Sequence, residues 1–182
     1  ILSVLNQNYP NLEFIIMDGG STDGTVKIIK KYERFLSYWK SAPDKGQANA
    51  INEGLRHSSG KYVAWLNSDD FYTDGALMSV VDFFKESKAD VVHANEYVVD
   101  GKDAIIGENR GLPFPEVLGL AFFVCGGYWT FQTTMFWKRE LHARSGMLNE
   151  KYNFALDLDL FARFVIGGAK FAYLNKHVAG FR

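Results

Sequence analysis

The first hundred residues alternate short apolar runs with stretches of helical spacing, a rhythm that few architectures satisfy. "LEFIIMD" (12–18) is a short apolar run bounded by polar turn residues, the pattern of a buried parallel strand. "GGSTDGT" follows, its glycines giving permissive backbone and its Ser, Thr and Asp suited to capping a helix that runs through Val26, Ile29, Lys30 and Glu33. "RFLSYWKSAPD" (34–44) predicts a second strand. In "KGQANAINEGLRHSSG" (45–60), Ala48, Ile51 and Leu55 recur at helical spacing and Gly60 is placed to stop the helix. "KYVAWLN" (61–67) predicts a third strand, "DGALMSVVDFFKES" (74–87) a helix, and "ADVVHAN" (89–95) a fourth strand. The expected fold is therefore α/β, an open and mostly parallel sheet flanked by helices.

Beyond Asp100 the rhythm breaks into an α+β half. "EYVVDGKDAIIG" resembles a hairpin around Asp100 and Gly101, and "PFPEVLGLAFF" a short helix after a proline-rich bend. "YWTFQTTMFWK" predicts an aromatic strand, "RELHARSG" a helix, and "LDLDLFARFVIGG" a helix closed by glycines. No linker, repeat or low-complexity tract divides the 182 residues, so a single domain spanning 1–182 is expected. The start, "ILSVLNQNYPNLE", reads as the tail of a helix and a proline-marked turn, the pattern of a chain cut at its front.

Charge and cysteine content narrow the partners. A formal net charge of -1 argues against a basic face that neutralises many nucleic-acid phosphates, so any phosphate partner should be small and no nucleic-acid partner is expected. Cys125 is the lone cysteine and forms no intrachain disulfide, which favours a reducing compartment. No apolar run approaches the ~18 residues of a membrane span.

Two predicted strands end in acid-bearing loops, "IIMDGGSTDGT" and "AWLNSDDFYTDG", and ligands of open α/β sheets bind beyond the carboxyl ends of strands. Asp69 and Asp70 stand side by side, and adjacent carboxylates repel unless a cation, a proton or donors compensate. Hard oxygen ligands of this kind suit Mg²⁺ or Mn²⁺ shared with a substrate's phosphates. The same residues after a strand also make ordinary turns and caps, and spacing alone leaves both readings open. A calcium loop is disfavoured, because the twelfth residue counted from Asp18 is Ile29, and from Asn67 it is Met78, where glutamate is needed. "DGGSTDG" likewise does not have the dinucleotide spacing G-x-G-x-x-G. In "FALDLDLFARF", Asp157 and Asp159 diverge by about 200° around a helix, so only one can face a ligand while the other caps or pairs. Asp157 near a helix start is also where the helix dipole favours an anion. His57, His93, His142 and His177 have no ligand-like spacing. Tyr128 and Trp129 are either core or a platform for a sugar ring.

Taken in order, "DGGSTDGT", "DKGQANAINEGL", "WLNSDD" and "DLDLFARF" resemble the family 2 glycosyltransferases of the GT-A fold, over essentially the whole chain. The resemblance implies an inverting displacement from a nucleotide-diphosphate sugar, commonly UDP-linked, to a hydroxyl of a glycan or lipid-linked acceptor, with a divalent cation, Mg²⁺ or Mn²⁺. By matching positions it implies that Asp18 recognises the base with Ser21 in the same loop, that Asp69 lies near the ribose, and that Asp70 ligates the metal. Lys45 and Gln47 border the donor, Asp157 is the general base, and Trp129 and Gln132 line the acceptor side. Residues 1–100 would form the nucleotide-sugar-binding half and 101–182 the acceptor half.

Two positions depart from the family pattern. Leu156 stands where an acid usually precedes the base, and Asn67 replaces the first aspartate of D-x-D-D. The resemblance further implies another strand and turn upstream of residue 1, and chain beyond "AGFR". It implies work in bacterial polysaccharide biosynthesis on the cytoplasmic side, with peripheral membrane association through parts outside this chain. The alternatives are a non-catalytic nucleotide-sugar or glycan-binding module of the same fold, and a sugar-nucleotide pyrophosphorylase, which should show a glycine-rich basic phosphate loop.

Overall fold

The computed structural model describes residues 1–113 and 131–182. The helices are α1 (Leu2–Leu5), α2 (Thr25–Tyr32), α3 (Gln47–His57), α4 (Ala76–Ser87), α5 (His142–Ser145) and α6 (Leu156–Ile166). The strands are β1 (Ile15–Asp18), β2 (Tyr38–Ser41), β3 (Tyr62–Val63), β4 (Phe71–Tyr72), β5 (Val91–Val99), β6 (Ile105–Asn109), β7 (Phe136–Lys138) and β8 (Phe171–Phe181). Among the described residues no helix is long and apolar enough to cross a membrane.

Local chemistry sets the ends of the helices. Gly24, in the left-handed region at φ 99°, precedes α2, and Asp23 accepts hydrogen bonds from the Thr25 N–H (3.0 Å) and hydroxyl (2.7 Å). The stop of α3 comes earlier than Gly60: Ser58 turns extended, and its hydroxyl donates to the Leu55 carbonyl at 2.8 Å. A side chain that satisfies an orphan carbonyl ends the helix before the glycine is reached.

The main sheet has the order β3-β7-β5-β8-β4, with β6 paired to β5. The pair β5·β8 is parallel, while β7, β6 and β4 join antiparallel to their neighbours. Neighbouring residues of β5 and β7 feed opposite cores, as the pleat requires. Val91 and Trp137 point into a cluster with Leu55, Leu160, Phe161 and Phe164, under α3 and α6. Val92 and Phe136 point into a second cluster with Ala76, Val80 and Phe84 of α4. The result is helix, sheet, helix.

β1 and β2 form a separate parallel pair, in register from Ile15 opposite Tyr38 to Asp18 opposite Ser41. Among the described residues β1 pairs only with β2, and β3 only with β7, so each keeps one open edge. Between them lies a slot of about 1060 Å³, lined by Phe14, Ile15 and Met17 on one side and Tyr62, Val63 and Trp65 on the other. Glu13 closes the slot where both strands begin, accepting from the N–H groups of Ser59 and Gly60 at 2.8 Å each. Gln47 and Asn67 close the opposite end through a 3.0 Å hydrogen bond. With both starts at one end, β1 and β3 run in the same direction. The third predicted strand is thereby shortened: Ala64–Asn67 lies along the slot without a ladder partner, and only Tyr62 and Val63 are paired.

The predicted aromatic strand 128–138 is also shorter than expected. Among the described residues of this stretch, 131–138, Gln132–Thr134 form a 3₁₀ turn and only Phe136–Lys138 enter the sheet. The Thr134 hydroxyl lies 2.9 Å from the Phe131 carbonyl and 3.1 Å from that of Ala94, a local side-chain bond that competes with the ladder. The predicted helix following Pro113, together with Cys125, Tyr128 and Trp129, falls in 114–130, outside the described residues.

One buried amide ties the segment between α5 and α6 to α3. Asn52, 2% exposed, donates to the Leu148 carbonyl (2.9 Å) and accepts from the Leu148 N–H (3.0 Å), and it also donates to Glu150 (2.9 Å). Replacing Asn52 with leucine leaves both Leu148 backbone groups unpaired in the core, so a loss of about 1–3 kcal/mol is expected in urea unfolding. An unchanged midpoint and slope would contradict this role.

Candidate active site

The loops after β1, β2 and β3 gather at the carboxyl ends of these strands. Asp18, the last residue of β1, accepts from the N–H groups of Gly20 (3.1 Å) and Ser21 (3.0 Å), from the Ser21 hydroxyl, and from the Ser41 hydroxyl of β2 at 2.6 Å. The Ser21 and Ser41 hydroxyls, with the two N–H groups, hold its carboxyl down at about 2. Asp18 also borders a cleft of about 280 Å³ with Met17, Lys40, Pro43, Asp44 and Asn49.

The loop after β2 turns through Gly46, at φ 104°, into α3, whose first turn has no side-chain cap. Lys45 and Gln47 are exposed there, beside a helix end that favours anions. Gln47 reaches across to the loop after β3.

That loop carries the paired acids. Asp69 is exposed, whereas Asp70 is 8% exposed, and the Asp70 N–H closes a turn on the Asn67 carbonyl at 3.2 Å. Burial pushes the Asp70 carboxyl up; the Arg182 N–H, donating at 3.1 Å, opposes this, and Asp69 adds to it. A buried carboxylate beside a second acid is a place where a cation is favoured. The side chain of Asn67 donates to Asp70 Oδ2 (3.2 Å) and to Gln132 Oε1 (3.1 Å), and Gln132 in turn donates to the Trp65 carbonyl (2.8 Å). Gln132 thus sits on a turn against the end of β3.

Asp157 lies in the first turn of α6, and Ala155 just before it adopts a left-handed conformation at φ 54°. The two acids of this helix separate. Asp159 pairs with Arg163 at 2.7 Å, and Arg163 also donates to the Met147 carbonyl at 2.9 Å. Asp157 is half-exposed, without a hydrogen-bond or ion-pair partner among the described residues. The helix is held over the end of β3 by Phe161, stacked on Trp65 at 6.0 Å, and by Leu156, which shares a core cluster with Ala48 and Trp65.

The structure therefore brings Gln47, Asn67, Asp70 and Gln132 into one hydrogen-bonded cluster, with Asp69 adjacent in sequence. Asp18 and Ser21 form their own turn beside the smaller cleft. Trp129 lies outside the described residues. Asn52, Asn67's donor role and Glu96, which is buried and accepts from Asn109 at 2.7 Å and from Thr133, were missed by sequence reasoning. Asn52 left a signal, since a polar residue at the helical spacing of Ala48 and Leu55 must be buried with partners.

Comparison with known proteins defines the class. A crystal structure of Staphylococcus aureus TarS 1-349 in complex with UDP superposes with a TM-score of 0.74 at 21% identity, covering 98% of this chain and 54% of that one. The mannosyltransferase PcManGT from Pyrobaculum calidifontis, in complex with GDP-Man and Mn²⁺, superposes at 0.70 with 21% identity, covering 98% and 50%. The fold is GT-A. The sequence matches the family described as Glycosyl transferase family 2 over residues 1–150, and the chain belongs to that family. An Escherichia coli relative, UDP-Glc:alpha-D-GlcNAc-diphosphoundecaprenol beta-1,3-glucosyltransferase WfaP, is 36% identical over 106 residues, 57% of this chain and 41% of that protein. The chain spans less than two thirds of the length of the curated relatives it matches.

The Asp18 turn gives a pH prediction. A folded value below the ordinary one means that its stabilising contribution is present above the unfolded aspartate pKa and is lost as pH falls through about 2. Carboxyl NMR of the double variant Ser21→Ala, Ser41→Ala should show Asp18 titrating nearer the ordinary aspartate value. A midpoint left at about 2 would show that the two hydroxyls do not hold it.

Proposed function

We propose that this chain is the catalytic domain of an inverting glycosyltransferase that moves a sugar from a nucleotide-diphosphate donor, UDP-linked, to a hydroxyl of a glycan or lipid-linked acceptor. The observation that carries the reading is the cluster Gln47, Asn67, Asp70 and Gln132, which joins the loops after β2 and β3 to the acceptor-side turn. The UDP held by TarS and the UDP-Glc in the name of WfaP support the donor class, and the diphosphoundecaprenol in that name supports a lipid-linked acceptor.

Donor recognition falls to residues 1–100. Asp18 and Ser21, beside the smaller cleft, take the base, and Asp69 takes the ribose. Lys45, Gln47 and the uncapped start of α3 face the diphosphate. Asp70 is the metal ligand: it offers hard oxygen, and its buried position beside Asp69 favours a cation. Among the described residues no group of three or more His, Cys, Asp or Glu could hold a metal; an ion held by Asp70 would share its coordination with donor phosphates and water, as Mg²⁺ and Mn²⁺ commonly do. When bound, the ion supplies charge neutralisation at the leaving diphosphate.

In the acceptor half, residues 101–182, Asp157 accepts the proton of the attacking hydroxyl, its carboxylate left unpaired by the Asp159–Arg163 bridge. Trp129 and Gln132 belong to the acceptor side, Gln132 by fixing the turn. The domain spans residues 1–182 and is completed by one further parallel strand between β1 and β3, a reading supported by the two open edges and the slot. It works at the cytoplasmic face of the membrane in polysaccharide biosynthesis, associated through parts outside this chain.

The test is a donor panel on the full-length protein with Mn²⁺, scored by release of nucleoside diphosphate and by glycan product. Asp157→Asn should lower turnover about 10²-fold or more while donor binding persists. Asp70→Ala should remove metal-stimulated activity. Wild-type turnover by both variants would overturn the assignment, and donor binding without product would identify a binding module instead.

A further inference from the structure

We propose that Asn67 is a positioning residue that holds Asp70 as a hydrogen-bond donor, and that an aspartate at this position cannot do its work. The proposal rests on the reading of Asp70 as the metal ligand given above.

The polarity of the chain of amides is dictated from its ends. The Trp65 carbonyl can only accept, so Gln132 must turn Nε2 toward it, at 2.8 Å, and present Oε1 to Asn67. An ionised Asp70 can also only accept. Asn67 Nδ2 has two protons, and the structure gives it two acceptors, Gln132 Oε1 at 3.1 Å and Asp70 Oδ2 at 3.2 Å. Its remaining group, Oδ1, faces Gln47 Nε2 at 3.0 Å. Both polar atoms of the Asn67 side chain are therefore committed, and reversing the amide would set oxygen against oxygen at the Gln132 and Asp70 contacts.

This arrangement has a consequence for Asp70. Oδ2 is held by Asn67 and Oδ1 by the Arg182 N–H at 3.1 Å, so the carboxylate plane is fixed from both sides before any ligand arrives. Gln47 stands at the start of α3, on the loop that faces the donor, and Gln132 stands on the acceptor-side turn. Asn67 therefore sets the orientation of Asp70 relative to both substrates. An aspartate would present only acceptors to Asp70 and to Gln132, turning two attractive contacts into repulsive ones. Leucine would keep the approximate volume and remove all three bonds.

The test uses the full-length protein and two readouts, Mn²⁺ affinity from an electron paramagnetic resonance titration and steady-state kinetics. Asn67→Asp and Asn67→Leu should each weaken Mn²⁺ binding by about 10-fold or more, with kcat falling more than the donor KM rises. Asn67→Asp that binds Mn²⁺ as tightly as wild type or more tightly, with kcat unchanged, would overturn the proposal, because charge would then suffice. Folding is addressed by Gln132→Met: the double variant Asn67→Leu, Gln132→Met should be no weaker in Mn²⁺ binding than Asn67→Leu alone, and fully additive losses would contradict a shared relay. Asp70→Ala separates the two levels. If it binds Mn²⁺ like wild type, the metal-ligand reading fails and the relay with it. If it loses Mn²⁺ while the Asn67 variants match wild type, only the relay fails.

Discussion

The run from Trp65 to Asp70 is fixed from three directions, and the candidate site hangs on it. The Trp65 ring carries α6 through its stack on Phe161, and its carbonyl orients Gln132. Two residues later Asn67 binds Gln47 from the β1·β2 side, Gln132 from the 132–134 turn and Asp70 within its own turn. An aromatic side chain partly buried against one core and a polar tip beyond the strand end thus convert packing into geometry: the apolar part fixes where the loop starts, and the amides fix where its carboxylate points.

That explains why an apolar strand should end in paired acids. A carboxylate at 8% exposure next to a second one would be an uncompensated cost in an ordinary turn. Here each oxygen of Asp70 receives one neutral donor, which orients the group without cancelling its charge. Asp18 is treated in the opposite way. Its four donors hold it firmly ionised, and they also shape the 18–21 turn. One acid is organised as a scaffold for its own loop, the other as an oriented, electron-rich group still suited to a cation.

Much of this was legible in the sequence, for identifiable reasons. α3, α4 and β5 follow from apolar periodicity because each buries a face in a core cluster, and β1, β2 and α2 show the same local pattern although Ile29 alone among their residues is fully buried. β8 escaped notice, since Asn175, Lys176 and His177 interrupt its apolar pattern where its register with β5 shifts. β4 is two residues long and has no period to read. The divergence of Asp157 and Asp159 could be read from helix geometry, and the i,i+4 spacing to Arg163 was there to say which acid would be paired. The burial of Asn52 could be read from its spacing but its partner could not, and the role of Asn67 could not be read at all, because the partners come from distant segments: Leu148 for the first, Gln132 and Gln47 for the second.

The proposed cation, shared with the donor and held by Asp70 near the first turn of α6, can be located by paramagnetic relaxation in solution. With UDP and Mn²⁺ bound to the full-length protein, amide signals of Gln47, Asn67 to Phe71 and Asp157 should be broadened, while those at the far end of β1 and β3, near Glu13 and Gly60, stay sharp. Sharp signals at 67–71 with broadening elsewhere would contradict this placement.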